Sequence, residues 1–259
     1  MFVLFQPAEE SLGGAKKIIE TEVLKDVQYL IATHLRPIEE LPLGKVTPAI
    51  LHGASTVMEM EIIGEDAHGA RPHQGVNAIE AAAGIIQAIQ ALHLDPTVPH
   101  SAKVTKIQSG PNPSNVIPSS VVMGFDLRAQ TNELMAIQRG RIAQIAADTA
   151  KAYGARAVCK THPGVPAATR CPELIETVTE AIKEALGEKF VAPPLPTPGG
   201  EDFHEYAVAM PGLKSTVVGI GADLTPGLHK AEMTFHLDAL LNGAKVLAAA
   251  ASHLLKPSS

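Results

Sequence analysis

The chain has 259 residues, of which 46% are hydrophobic and 19% charged, and its formal net charge is −6 at pH 7. This is the composition of a globular protein with one large domain or two ordinary ones. The absence of a Lys and Arg cluster argues against nucleic-acid binding, and two cysteines are too few for a disulfide framework and favour a cytoplasmic location.

The first part of the chain has a β-α-β pattern. Residues 1–5 form a continuous apolar run that predicts a buried strand, a helix is predicted from Ser11, and residues 27–33 predict a second buried strand. Consecutive units of this kind favour a parallel sheet covered by helices.

A different pattern occupies residues 53–163. The predicted elements are a half-exposed strand at 57–63, a helix at 77–94, strands at 103–109 and 120–129, a helix at 132–153 and a strand at 155–161. The order βαββαβ predicts a ferredoxin-like two-layer unit inserted into the chain.

The βα pattern then returns, with a helix at 172–186, a buried strand at 215–221 and a last helix at 237–254. This last segment carries Lys245 and His253, so we interpret it as a packed helix and predict no membrane span. We therefore predict an α/β fold in which residues 1–52 and 164–259 form one domain and residues 53–163 form the inserted one.

Potential metal ligands follow the predicted strands of the first domain. Glu9 and Glu10 follow the first strand, His34 ends the second, and His229 comes after the strand at 215–221. The carboxyl ends of such strands meet at one edge of a sheet, and Glu and His are ligands for zinc or manganese. Adjacent carboxylates are also typical of a solvent-exposed helix start, so the pattern alone leaves both interpretations open.

Polar residues of the inserted unit have similar alternatives. The loop from Glu65 to His73 is dense in polar side chains, and it contains His68. Asn115 and Arg128 flank one predicted strand, where an asparagine turn and a surface arginine would explain them equally well.

Six motifs together resemble the dinuclear-metal aminoacylase and carboxypeptidase family, in particular its hippuricases and indole-acetyl-amino-acid amidohydrolases. They are Phe5-Gln-Pro-Ala-Glu-Glu10, His34 with Pro37, His68-Gly-Ala-Arg-Pro-His73, Asn115-Val-Ile-Pro118, Gly200-Glu-Asp-Phe203 and Leu228-His229. They occur in the family's order across essentially the whole chain. The resemblance implies a zinc-exopeptidase-like catalytic domain with an inserted ferredoxin-like lid.

The resemblance also implies an activity, namely metal-dependent hydrolysis of the amide bond of N-acyl amino acids with two divalent ions, zinc or manganese. Glu9 would be the general base that activates a metal-bound water. Glu10 and His229 would be ligands of one ion, and His34 would be a ligand of the other.

Residues of the lid receive roles from the same resemblance. His68 would stabilise the oxyanion of the tetrahedral intermediate, across a homodimer formed through the lid. Asn115 would bind the substrate carboxylate or the intermediate. Arg128 matches a substrate-binding residue less closely.

The family's upstream Cys-Gly-His-Asp-x-His stretch, which supplies a bridging cysteine and a histidine ligand, does not occur in this sequence. One ion would keep two protein ligands and the other would keep one, fewer than the three usual at catalytic zinc. Our first hypothesis is an amidohydrolase whose chain lacks the N-terminal part of its catalytic domain. The alternatives are a non-catalytic remnant that dimerises through its lid and binds ligand or metal weakly, and a hydrolase with a single metal.

Overall fold

A computed structural model describes residues 1–111 and 113–255, which contain eleven strands and six α-helices. The strands are β1 (Tyr29–Pro37), β2 (Val46–Thr47), β3 (Ile50–His52), β4 (Ala54–Ile63), β5 (Ala67–His68), β6 (His100–Ser109), β7 (Val116–Ile117), β8 (Ser120–Ala129), β9 (Arg156–Thr161), β10 (Leu195–Thr197) and β11 (Lys214–Leu224). The helices are α1 (Gly14–Glu20), α2 (Ala78–Gln90), α3 (Asn132–Ala152), α4 (Pro172–Leu186), α5 (Glu205–Ala209) and α6 (Asp238–Leu255).

The chain divides into two compact units. Unit 1 comprises Met1–His52, Ala168–Thr197 and Glu201–Ser259, and unit 2 comprises Gly53–Ala167 and Pro198–Gly200. Residues 256–259, which the sequence assigns to the first domain, lie outside the described residues.

Unit 1 is built around a parallel strand pair. β1 and β11 run parallel, with Tyr29 opposite Lys214 and Arg36 opposite Gly221, and β2 pairs antiparallel with the other edge of β11. β11 is buried along almost its whole length, as expected for a strand covered on both faces. Its Val218 packs with residues of α4 and α6 in one apolar core.

The strand predicted at residues 1–5 is wrong. Residues 1–8 have no regular secondary structure, and Met1 and Phe5 are each 88% exposed. Within the described part of the chain, β1 pairs with β11 alone, so the apolar run has no strand beside it to satisfy its backbone groups. The first regular element is instead the 3-10 turn Glu9–Ser11, which α1 follows.

Unit 2 contains a four-stranded antiparallel sheet in the order β6-β8-β4-β9. Burial alternates along β4 and β8, and their inward side chains share a core with residues of α2 and α3. The Asn77 and Thr131 side chains cap the two helices by accepting backbone N–H bonds. The predicted elements of this region are present, although β4 and β6 begin at Ala54 and His100, earlier than expected.

The final helix α6 buries Ala239, Val246 and Ala250 in the core of unit 1. Among the described residues, no helix combines the length and apolar character that crossing a bilayer requires.

Candidate active site

Glu9 and Glu10 lie in a short turn that adopts unusual backbone geometry. The flanking residues Ala8 and Leu12 both have left-handed backbones, with φ of 58° and 54°. Each costs on the order of 1 kcal/mol, so surrounding contacts must hold the turn. The buried Asp202 supplies two of these contacts, accepting the Gln6 Nε2–H bond at 2.7 Å and the Ala15 N–H bond at 3.0 Å.

Glu10 and His229 face each other at the exposed side of the site. Nδ1 of His229 lies 3.6 Å from Oε2 of Glu10, and the two side chains are 71% and 78% exposed, respectively. Two ligands of one tetrahedral ion, each about 2 Å from it, lie about 3.3 Å apart. The separation of Glu10 and His229 is close to this value, and it is also that of an exposed ion pair.

His34 lies on β1, which continues to Pro37, so His34 does not end its strand as predicted. It is near enough to Glu10 and His229 for both to influence its pKa. Its Nδ1 is 2.6 Å from the Leu35 carbonyl oxygen, so Nδ1 carries the proton and Nε2 is available as a ligand. Burial lowers the pKa of His34, which keeps the ring in the neutral form that binds metal. Carboxylate and imidazole groups are ligands that zinc and manganese accept, although Glu10, His34 and His229 do not form a group within 4.8 Å.

Three carboxylates form the buried side of the site. Oxygen atoms of Glu9, Glu201 and Asp202 all lie within 4.8 Å of one another, and no other group of three or more potential metal ligands lies this close within residues 1–111 and 113–255. Burial, reinforced by Glu9 and Asp202, raises the pKa of Glu201 to about 7 although the Phe203 N–H bond opposes the shift. Burial and the charges of Asp202 and Glu10 also raise the pKa of Glu9.

Glu201 and Asp202 are not among the predicted site residues, although they lie within one of the six motifs. Asp202 is fully buried, and both of its oxygens accept hydrogen bonds from the segment around Glu9. The only signal in the sequence is that Glu201 and Asp202 are adjacent acidic residues. They lie almost two hundred residues from Glu9, so the sequence does not indicate that they are close to it in space.

The candidate residues of the inserted region all lie in unit 2. His68 pairs with Val116 between β5 and β7, and the Asn115 carbonyl accepts the Gly69 N–H bond at 2.7 Å, so the backbones of these two segments lie side by side. Nδ1 of His68 accepts the Ala70 N–H bond at 3.0 Å, which leaves the proton of the neutral ring on Nε2.

Arg128 lies apart from that pair on β8. Its Nε donates to both carboxylate oxygens of Asp126, at 3.2 and 3.1 Å. Both side chains are about one third exposed, as an ordinary ion pair on a sheet face would be.

The chain is similar in sequence to a known protein family and to two curated proteins. Residues 1–253 match the model of peptidase family M20/M25/M40. IAA-amino acid hydrolase ILR1-like 2 of Arabidopsis thaliana is 31% identical over 219 residues, which cover 81% of this chain and 49% of the relative. N-acetyl-L-cysteine deacetylase of Bacillus subtilis is 30% identical over 258 residues, which cover 98% of this chain and 60% of the relative.

A solved structure has the same fold. The Bacillus subtilis YXEP protein, described as a dinuclear metal binding peptidase from the M20 family, superposes with a TM-score of 0.79 at 27% identity, covering 97% of this chain and 64% of that one. The chain thus spans about half to two thirds of the length of these proteins. Because residues 1–253 match the family's model, the chain belongs to peptidase family M20/M25/M40.

Proposed function

We propose that this chain is part of a metal-dependent amidohydrolase that cleaves the amide bond of N-acyl amino acids. The observation that carries the proposal is the 3.6 Å contact between Glu10 and His229 next to Glu9, with His34 near enough to interact electrostatically with both. The printed names of the two curated relatives, a hydrolase of IAA-amino acids and a deacetylase of N-acetyl-L-cysteine, favour small amides of amino acids as substrates.

Glu10 and His229 would hold one divalent ion, and His34 would contribute to the second. A bound zinc or manganese ion would make water a better nucleophile near neutral pH and would polarise the amide carbonyl. Glu9 lies next to this ligand set, and its raised pKa suits a carboxylate that accepts a proton from the attacking water. It would then pass that proton to the leaving amine.

Unit 2 would serve as the ferredoxin-like lid, with His68 and Asn115 as its contribution to catalysis. The bond from Ala70 makes Nε2 of His68 a hydrogen-bond donor, which is the form that can stabilise an oxyanion. Asn115 would bind the substrate carboxylate or the intermediate, and its backbone bond to Gly69 holds its segment next to that of His68. Arg128 is the weakest member of this set because its motif matches less closely and its Nε already donates to Asp126.

We also expect the protein to form a homodimer through unit 2. β6 is an edge strand of the four-stranded sheet, and Ile107 on this strand is 55% exposed. Sedimentation should show that Ile107→Glu lowers the fraction of dimer. Ile137 on α3 is 53% exposed, so Ile137→Glu is a matched control and should leave the fraction of dimer unchanged. Equal behaviour of the two variants would contradict an interface at β6.

One observation favours the alternative of a non-catalytic chain with weak metal binding. Glu10 and His229 are largely exposed, and three candidate ligands for two ions are fewer than catalytic zinc sites use. The test is hydrolysis of N-acetyl amino acids by the purified chain with zinc or manganese, and after treatment with a chelator. Turnover that disappears with the metal supports the amidohydrolase, whereas metal binding without turnover supports the alternative.

A further inference from the structure

We name residues 201–204 the carboxylate turn. Its last residue carries one of two buried imidazoles that contact each other. Nδ1 of His52, the last residue of β3, lies 3.0 Å from Nε2 of His204, the last residue of the turn. Both residues are 3% exposed. Burial lowers the pKa of His204 to about 4, and burial together with His204 lowers the pKa of His52 to about 2. Both rings are therefore neutral at pH 7, and a single proton lies between the two nitrogens.

The His52 end of this contact is anchored in unit 1. His52 lies opposite Thr197 in the parallel pair of β3 and β10. Its carbonyl oxygen accepts the Ala168 N–H bond at 2.9 Å. These bonds fix the backbone on both sides of the residue, so its ring is a stable reference point for whatever it contacts.

The His204 end belongs to the turn that holds the segment around Glu9. Asp202 accepts bonds from Gln6 and from the Ala15 amide, one on each side of Glu9 in the chain. The Tyr206 hydroxyl donates a further bond to Gln6 Oε1 at 2.7 Å. A displacement of the turn would therefore be transmitted to both ends of the segment that carries Glu9.

We propose that His52 and His204 are a positioning pair for Glu9: their hydrogen bond fixes the carboxylate turn, whose Asp202 holds the Glu9 segment. The inference rests on the proposed function only in treating Glu9 as the base. Neither ring has to touch substrate, and the pair acts through Asp202. Because both rings are buried, loss of either partner leaves a polar nitrogen without a bond, which displaces the turn.

The two ring nitrogens allow a matched test. A glutamine amide lies near the position of Nε2 of a histidine, and an asparagine amide lies near that of Nδ1. His204→Gln and His52→Asn should therefore keep the contact, whereas His204→Asn and His52→Gln should lose it. Within each position the two variants have the same chemistry and differ by one methylene group.

The first measurement is hydrogen exchange of the Ala15 amide, which donates to Asp202. We expect exchange about tenfold faster in His204→Asn than in His204→Gln, the change that loss of a buried hydrogen bond produces. Exchange should likewise be faster in His52→Gln than in His52→Asn. If a variant at one position does not fold, the matched pair at the other position still tests the inference. Equal exchange within a matched pair would overturn the inference.

The second measurement is turnover with bound metal. At saturating metal, the variants that lose the contact should have lower kcat with unchanged KM, because the segment that carries Glu9 moves. Glu10 lies in the same segment, so the metal content of each variant is measured alongside. A fall in kcat that only follows loss of metal would overturn the assignment to Glu9. Absence of turnover in the wild type would refute the proposed function, and the exchange of Ala15 would still decide the positioning pair.

Discussion

The two halves of the candidate site are held by opposite means. Glu10 and His229, the exposed half, have one mutual contact at 3.6 Å and are more than 70% exposed. The carboxylate turn, the buried half, is less than 10% exposed throughout and is fixed by several hydrogen bonds. A pair of exposed ligands can accept an ion from solvent, whereas a buried turn can set the position and proton affinity of the base. The comparison suggests that binding and positioning are divided between the halves.

Glu9 lies where the two halves meet, so its substitution should have the largest effect. Glu9→Gln removes the proton acceptor without changing size, and we expect turnover to fall at least about 100-fold. Metal content should stay unchanged because the exposed half is intact. Steady-state kinetics measure the turnover and metal analysis measures the metal content. Glu20→Gln is the control, because it changes an exposed glutamate outside the site. Normal turnover in Glu9→Gln would contradict the assignment of the base.

Asp202→Asn tests the buried half by stability. An amide cannot accept both the Ala15 and Gln6 bonds in the present geometry, so one buried donor loses its partner. We expect the free energy of unfolding in urea to fall by about 2 kcal/mol. Glu205→Gln, which removes the ion pair with Lys16 at 3.3 Å, should cost under about 1 kcal/mol. Equal costs would show that burial does not distinguish these carboxylates.

The neutral imidazoles of the buried half predict a dependence of stability on pH. The pKa values of His204 and His52 are lowered to about 4 and about 2 in the folded chain, so between pH 6.5 and 4 the unfolded chain binds protons that the folded chain does not. Each histidine should therefore lower the free energy of unfolding as the pH falls, on the order of 1 kcal/mol per pH unit. Glu201, whose pKa is raised to about 7, opposes this with a slope of similar size, so two groups against one leave a net fall.

Urea unfolding at pH 7 and at pH 5 measures this dependence. The double variant His52→Asn with His204→Gln has no group that titrates at these positions and should lose much of the difference between the two pH values. A difference as large as that of the wild type would mean that other groups cause it.

The smallest effect on stability is expected in the exposed half. His229→Ala should change the free energy of unfolding by no more than about 0.5 kcal/mol, because exposed ion pairs contribute little. A cost as large as that of Asp202→Asn would remove the distinction between the halves. Urea unfolding of the metal-free chain gives the comparison.

The sequence predicts much of this structure where the signal is local. The strand at 120–129 has the predicted bounds because alternating burial is visible in the residues themselves. The strand expected at residues 1–5 fails because pairing, not composition, decides whether an apolar run becomes a strand. Motifs pointed to Glu10 and His229, whose side chains lie 3.6 Å apart in the structure.

The buried half could not be predicted in the same way. Contacts between Glu9 and Asp202, or between His52 and His204, join residues more than 150 positions apart, and no period or spacing in the sequence records them. The unusual pKa values of Glu201 and His204 arise from burial, which only the folded chain determines.

Metal binding tests the central claim most directly. We would measure the zinc retained per chain after dialysis for the wild type, for His229→Ala and for His253→Ala. The last variant is the control, because His253 lies on α6 and pairs with Glu184 of α4. We expect at least one ion per wild-type chain, less in His229→Ala and no change in His253→Ala. A wild type that retains no zinc, or equal losses in the two variants, would contradict a metal site at Glu10 and His229.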